Sequence, residues 1–129
     1  MMKWDYKNFS EDEFKCSCPC GGVDMKPDFM IRMVRLRMAL AAPLIISSGW
    51  RCVSHNADVG GAGHSPHLEG CAADIKCHGT LARKLIGAAD FCGFSGIGVS
   101  QKGDWSGRFI HLDSAEEMPE RPRPWIWSY

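Results

Sequence analysis

His67 and Asp74 stand seven residues apart in the stretch His64-Ser65-Pro66-His67-Leu68-Glu69-Gly70-Cys71-Ala72-Ala73-Asp74, and His111 follows in Phe109-Ile110-His111-Leu112-Asp113. Two imidazoles and one carboxylate make a sound ligand set for a catalytic zinc. Imidazole suits that ion, the carboxylate neutralises part of its charge, and three protein ligands leave a fourth position open. A plainer reading stays open beside this one. An Asp in an apolar strand can be a paired structural carboxylate, and a His between Ile and Leu is commonly a hydrogen-bonded core residue. Spacing alone does not choose between them.

Cysteine is the second reactive group. There are seven, at 16, 18, 20, 52, 71, 77 and 92, and an odd number cannot all pair within one chain. Cys16, Cys18 and Cys20 form a C-x-C-x-C cluster before Gly21-Gly22. Zinc knuckles usually use C-x2-C spacing, so the match is imperfect. Plain buried thiols, a structural metal and disulfides formed in an oxidising compartment all remain open. The first fifteen residues are charged and lack the basic start and apolar stretch of a secretory signal, which makes reduced thiols the default.

The elements that must position these groups follow from local signals. Ser10 with Glu13 is a capping box that should start a short helix and turn Phe14 inward. Pro27-Asp28 predicts a helix to about residue 41, with Met30, Met33, Val34 and Leu40 on the core face and Arg32 and Arg35 toward water. Pro43 stops it, and residues 44–47 read as a short buried strand. Ser54 is the expected cap of a helix over residues 55–59, and Thr80 of one over residues 81–92 that Gly93 ends. Leu81, Leu85 and Ala88 or Ala89 should face inward. Residues 72–76, 96–100 and 109–112 read as strands, and His67 falls in a Gly-, Ser- and Pro-rich loop. The Pro-rich aromatic tail, residues 119–129, is expected to dock on the body.

The whole is 129 residues and 14.3 kDa, the size of one domain, and the expectation is a single α+β domain over residues 1–129. Fifteen basic residues balance fifteen acidic ones, which argues against nucleic-acid binding through bulk charge. No apolar run approaches the ~20 residues that span a bilayer. Neither a nucleic-acid partner nor insertion into a membrane is therefore expected, and the chain is expected to be a monomer.

Several ordered motifs carry a family resemblance over most of the chain, from about Asn8 to Trp127. Ser65-x-His67-x-x-Gly70-x-Ala72-x-Asp74 resembles the S-x-H-x-x-G-x-A-x-D motif of the zinc D-Ala-D-Ala carboxypeptidases, the M15-type peptidases, which share a fold with the hedgehog signalling domain. Ser48-Gly49-Trp50-Arg51-Cys52, His55-Asn56 and Gly60-Gly61 look like a segment of the small phage and bacterial members. Gly96-Ile97-Gly98 and Phe109-Ile110-His111-Leu112-Asp113 look like their G-I-G and F-x-H-x-D pieces.

The resemblance implies a short antiparallel sheet with flanking helices and one zinc ion held by His67, Asp74 and His111. It implies that Arg51 grips a peptide carboxylate or carbonyl, which suits a bidentate guanidinium; an ordinary surface salt bridge is the alternative. Ser65 should bond the substrate or orient the His67 loop. The chain departs from many members in one place. The position three before the last zinc His, often Glu or Asp, is Arg108, which cannot take a proton. Asp113, on the same strand face as His111, is the first candidate for base or supporting partner, or it ties the tail through Arg121 or Arg123. Asp104 is the second candidate base, ahead of Glu69 and His64.

The function expected is zinc-dependent hydrolysis of peptidoglycan stem peptides next to a D-amino acid, as a carboxypeptidase or an endolysin-type endopeptidase. The rival readings are a zinc-containing wall-peptide binder without catalysis and a Cys-rich structural-zinc module. Synthesis in the cytoplasm without a signal, with action at the bacterial wall, points by family analogy to a phage or prophage protein.

Overall fold

The computed structural model describes residues 4–129. Three α-helices, α1 (Pro27–Leu40), α2 (Val53–Asp58) and α3 (Gly79–Ala89), accompany five strands. These are β1 (Ile45–Ser48), β2 (Ala72–Lys76), β3 (Gly96–Ser100), β4 (Phe109–Asp113) and β5 (Trp125–Ser128), and together they make one sheet of order β1-β2-β4-β3-β5. The pairs β1–β2, β2–β4 and β4–β3 are antiparallel. The tail does more than dock: β5 adds to the edge beside β3 in parallel, so the sheet is mixed. The arrangement is a small α+β fold. No helix among the described residues is long and apolar enough to cross a membrane.

Strand alternation gives the sheet two different faces. In β2 and β4, Ala73 lies opposite Leu112 and Ile75 opposite Ile110, and all four are fully buried in the hydrophobic core. Phe29, Met30, Met33 and Leu36 of α1 and Leu85 and Ala89 of α3 belong to the same core. Each large apolar side chain buried there contributes ~1.5–3 kcal/mol. The intervening residues, Asp74 opposite His111 and Ala72 opposite Asp113, must then point to the other face. The chemistry-bearing set therefore stands on the sheet centre, backed by the core.

Several local expectations hold and others shift. Ser10 and Glu13 form their capping box, on a 3₁₀ turn (Glu11–Phe14) that buries Phe14. In α1 the core face turns slightly: Phe29 and Leu36 are buried with Met30 and Met33, while Val34 and Leu40 are only half-buried. Arg32 does not simply face water. Its guanidinium donates to the carbonyls of Asp28 (2.9 Å) and Gly93 (2.8 Å), tying α1 to the turn after α3. Strand β1 is an edge strand with Ile45 mostly exposed, rather than a buried one; Leu44 just before it enters the core. The cap of α2 is Cys52, whose Sγ accepts from the His55 N–H, and not Ser54. His78 rather than Thr80 precedes α3, in which Ala82 is buried and Leu81 half-buried. Gly93 does take the left-handed backbone (φ +92°) that ends the following turn.

Candidate metal centre

The site is built where β2 and β4 run side by side. Register places Asp74 across from His111, and His111 Nδ1 lies 3.0 Å from Asp74 Oδ1. His67 comes from the loop before β2 and brings its Nε2 to 3.4 Å from the same oxygen. The loop can fold so close because Gly70 adopts φ +75° and packs on the Asp24 backbone, where a Cβ would collide with the carbonyl oxygen. The Gly70 carbonyl is anchored in turn by the Lys26 N–H (2.9 Å).

Each imidazole has its far nitrogen occupied. His67 Nδ1 lies 2.7 Å from the Gly49 carbonyl, and His111 Nε2 lies 2.7 Å from Asp113 Oδ2. With a cation bound, both acceptors would keep the proton on those far nitrogens and leave a lone pair on His67 Nε2 and His111 Nδ1. The two lone pairs converge with Asp74 Oδ1, all three atoms within 4.8 Å of one another. Three converging acceptors suit a cation. A tetrahedron with bonds of ~2.0–2.1 Å has edges of ~3.3–3.4 Å, close to the spacings found here. Acceptors behind both histidines are also what a metal-binding imidazole needs to set its tautomer and ring plane.

The electrostatics are strongly coupled. Burial disfavours charge on Asp74, but hydrogen bonds from His111 and His67 outweigh it and hold the carboxyl far below its usual range. Burial likewise opposes charge on His111, yet Asp113 and Asp74 on its two nitrogens raise its pKa. Asp113 is fully buried; its contacts with His111 and Arg123 overcome the desolvation and lower its pKa to about 2.

The remaining candidates fall into two groups. Arg51, Ser65 and Asp113 are brought to the cluster. Arg51 Nη2 lies 3.6 Å from Asp74 Oδ2, and its Nη1 donates to Asn56 Oδ1 at 3.4 Å. Ser65 is buried, and its Oγ accepts from the His67 N–H (3.2 Å), so it shapes the loop. Asp113 sits behind His111 with both oxygens engaged: Oδ1 accepts from Arg123 Nε (3.0 Å) and the Ala115 N–H (3.2 Å), and Oδ2 from Arg123 Nη2 (2.9 Å) as well as facing His111. Of the two tail arginines, Arg123 is the one that holds it. Asp104 lies apart, exposed in the β3–β4 connection, where it accepts from Ser106 Oγ. Arg108 binds the Gly103 carbonyl (3.0 and 3.2 Å), and Arg121 engages Glu69 and the His64 carbonyl (3.0 Å). No hydrogen bond or ion pair joins Asp104, Glu69 or His64 to the cluster among the described residues.

Sequence reasoning missed two supports. The Gly49 carbonyl orients His67, and no side-chain pattern could announce a backbone acceptor. Trp127 of β5 packs its ring 5.3 Å from the His111 ring, with the Arg123 guanidinium 5.0 Å over it. Gly98 lies opposite His111, and a Cβ there would come within 2.7 Å of the Trp127 ring. Beside it, Gly96 leaves room for the Asp113 carboxylate. The G-x-G of β3 is thus the space that these side chains fill, a signal visible only with the partner strands in place.

Comparison with known proteins adds an independent result. No curated protein matches the chain closely enough to be informative. The sequence profile of the Peptidase M15 family matches residues 7–113, a span that holds all three converging ligand candidates together with Arg51 and Asp113. Most of the chain lies within that match, and the protein belongs to the peptidase M15 family.

Proposed function

We propose that the protein is a zinc-dependent hydrolase of peptidoglycan stem peptides that cuts next to a D-amino acid at the bacterial cell wall. The observation that carries the reading is the convergence of His67 Nε2, Asp74 Oδ1 and His111 Nδ1, with the far nitrogen of each imidazole already bonded. Family membership supports peptidase chemistry at that point. Zinc held there would supply Lewis acidity toward a peptide carbonyl and would lower the pKa of water.

The chain's own residues do the rest. Gly49 and Asp113 keep the two imidazoles in their ligand tautomers. Asp113 acts as a positioning residue, because Arg123, Ala115 and His111 use both of its oxygens. Arg51 stands at the rim beside Asp74, where its guanidinium can receive a substrate carboxylate or carbonyl. A groove of about 660 Å³, lined by Ala62, His64, Pro66, Arg121, Trp125 and Trp127, has room for a peptide; it meets the cluster through Pro66, which precedes His67, and Trp127, whose ring packs on His111.

One observation favours a second reading, a domain that holds zinc and wall peptides without cutting them. Arg108 fills the position of the family's usual base, and the carboxylate nearest in sequence, Asp113, is locked in its ion pair. Digestion of purified peptidoglycan separates the two. The hydrolase releases fragments with new amino termini, stops with chelator and recovers with zinc, and mass spectrometry of the muropeptides identifies the bond. Zinc-dependent retention of the protein on the wall with no new termini would establish the binder instead.

A further inference from the structure

Four cysteines meet at a second place in the fold. Cys16, Cys18 and Cys20 of the loop after the 3₁₀ turn gather around Cys52, the residue that caps α2, and their sulfurs all lie within 4.8 Å of one another. The closest separations are 3.5 Å (Cys16–Cys18), 3.6 Å (Cys18–Cys52) and 3.8 Å (Cys16–Cys52). We propose that these four thiolates bind a structural zinc ion, separate from the His67–Asp74–His111 centre.

Two independent features carry the assignment. The first is spacing. A tetrahedron of sulfurs with metal bonds of ~2.3 Å has edges of ~3.8 Å, and the three shortest separations lie at or just below that value. All four are free cysteines in the structure, with no disulfide among them. The second is the backbone. Every one of the four sulfurs accepts one main-chain N–H: Cys16 from Cys52, Cys18 from Cys20, Cys20 from Gly22 and Cys52 from His55, each at 3.4 Å. Amide hydrogens aimed at sulfur favour the thiolate over the thiol and spread the negative charge that four thiolates leave on a divalent ion. The loop is shaped for this. Gly21 takes φ +58°, its N–H bonds the Cys18 carbonyl (3.2 Å), and the Cys16 N–H bonds the Gly22 carbonyl (2.7 Å). Soft thiolates in a closed set of four select zinc for structure rather than catalysis, because no position is left for a reactant.

The location gives the ion a task. Cys52 follows Arg51 directly, and the Trp50 N–H bonds the Phe14 carbonyl (2.9 Å) while Gly49 packs on the Phe14 backbone. The ion would fasten the N-terminal loop to the segment that carries both the His67-orienting carbonyl and Arg51.

Protein purified without chelator from zinc-supplemented cells is expected to hold two zinc equivalents per chain. With cobalt in place of zinc it should show sulfur-to-cobalt charge-transfer absorption, which the nitrogen- and oxygen-ligated centre cannot produce. His67→Ala should keep that band and lower the metal content to one equivalent. Cys18→Ser with Cys52→Ser should abolish the band; if that variant does not fold, the cobalt spectrum of the unaltered chain still decides. A cobalt protein without the sulfur band, a single zinc that His67→Ala removes, or a freshly isolated chain lighter by the hydrogens lost to disulfides would each overturn the proposal.

Discussion

The two ligand clusters solve the problem of gathering donors in opposite ways. At the sheet, His111 and Asp74 are placed by strand register, and only His67 depends on a loop. Three donors converge, which leaves a fourth ligand position for a reactant. At the N-terminal loop nothing comes from the sheet: three sulfurs are carried by a turn of seven residues and the fourth by a helix cap. Four donors converge, enough to fill a tetrahedral set. The rigid site has its far nitrogens tied by carbonyl and carboxylate, whereas the loop site has its sulfurs tied by backbone N–H groups. Openness together with buried, pre-oriented donors is what a reacting centre needs. Closure is what a fastening needs.

This contrast predicts separable losses. His111→Ala removes a donor from the open cluster and leaves Asp113 without its imidazole partner. Peptide hydrolysis should fall by ~10³-fold or more, several kcal/mol of lost transition-state stabilisation, while the sulfur–cobalt band persists. Loss of both together would mean that the two clusters are one cooperative unit.

The thiolate cluster should act on stability instead. An ion at about a thousandfold its dissociation constant stabilises by ~4 kcal/mol, so Cys16→Ser with Cys52→Ser should lower the thermal midpoint by roughly 15 °C. Scanning calorimetry of the variant beside the unaltered protein measures this, and an unchanged midpoint would remove the structural role.

Arg51 sits between the clusters, bonded to Asp74 and adjacent to Cys52. Arg51→Ala should cost ~1.5–3 kcal/mol of interaction with substrate, seen as a ~10- to 150-fold drop in kcat/KM with zinc content preserved. Normal turnover would leave Arg51 as a structural ion pair.

The smallest expected effect on activity is that of Asp113→Asn. A positioning residue behind a ligand should weaken metal affinity or turnover by ~10- to 100-fold, and the orphaned Arg123 charge should lower stability as well. A general base would show a loss of ~10²–10⁴ in rate with zinc and thermal midpoint intact. Measuring rate, metal content and melting on the one variant distinguishes these outcomes.

Much of the open site was legible because strand periodicity is local information. His111 and Asp113 two apart had to share a face, and the apolar residues between them had to share the other. The motif around His67 and Asp74 carried the family. The partner of Asp113 was narrowed to two arginines and no further, since Arg121 and Arg123 both lie in a tail whose path no periodic pattern describes. The expected buried strand after Pro43 became an edge for a similar reason: its apolar residues say that it pairs, not which side of it is left uncovered. The caps of α2 and α3 moved because a cysteine sulfur and a histidine backbone stood where the chain turned, ahead of the residues with ordinary capping preference.

Residue order alone pointed to the family, the α+β alternation and the three residues that meet in the open cluster, and it left the Cys-x-Cys-x-Cys loop open between thiols, a metal and disulfides. Tertiary structure decided everything that depends on contacts far apart in the chain. It joined Cys52 to Cys16, Cys18 and Cys20, turned the Gly49 carbonyl toward His67, locked Asp113 under Arg123 and added β5 in parallel to the sheet edge. The physical reason is the same in each case. A side chain's period along a helix or strand is set by its neighbours in sequence, but a hydrogen bond, an ion pair or a ligand shell is completed by whichever group the packed core brings within reach.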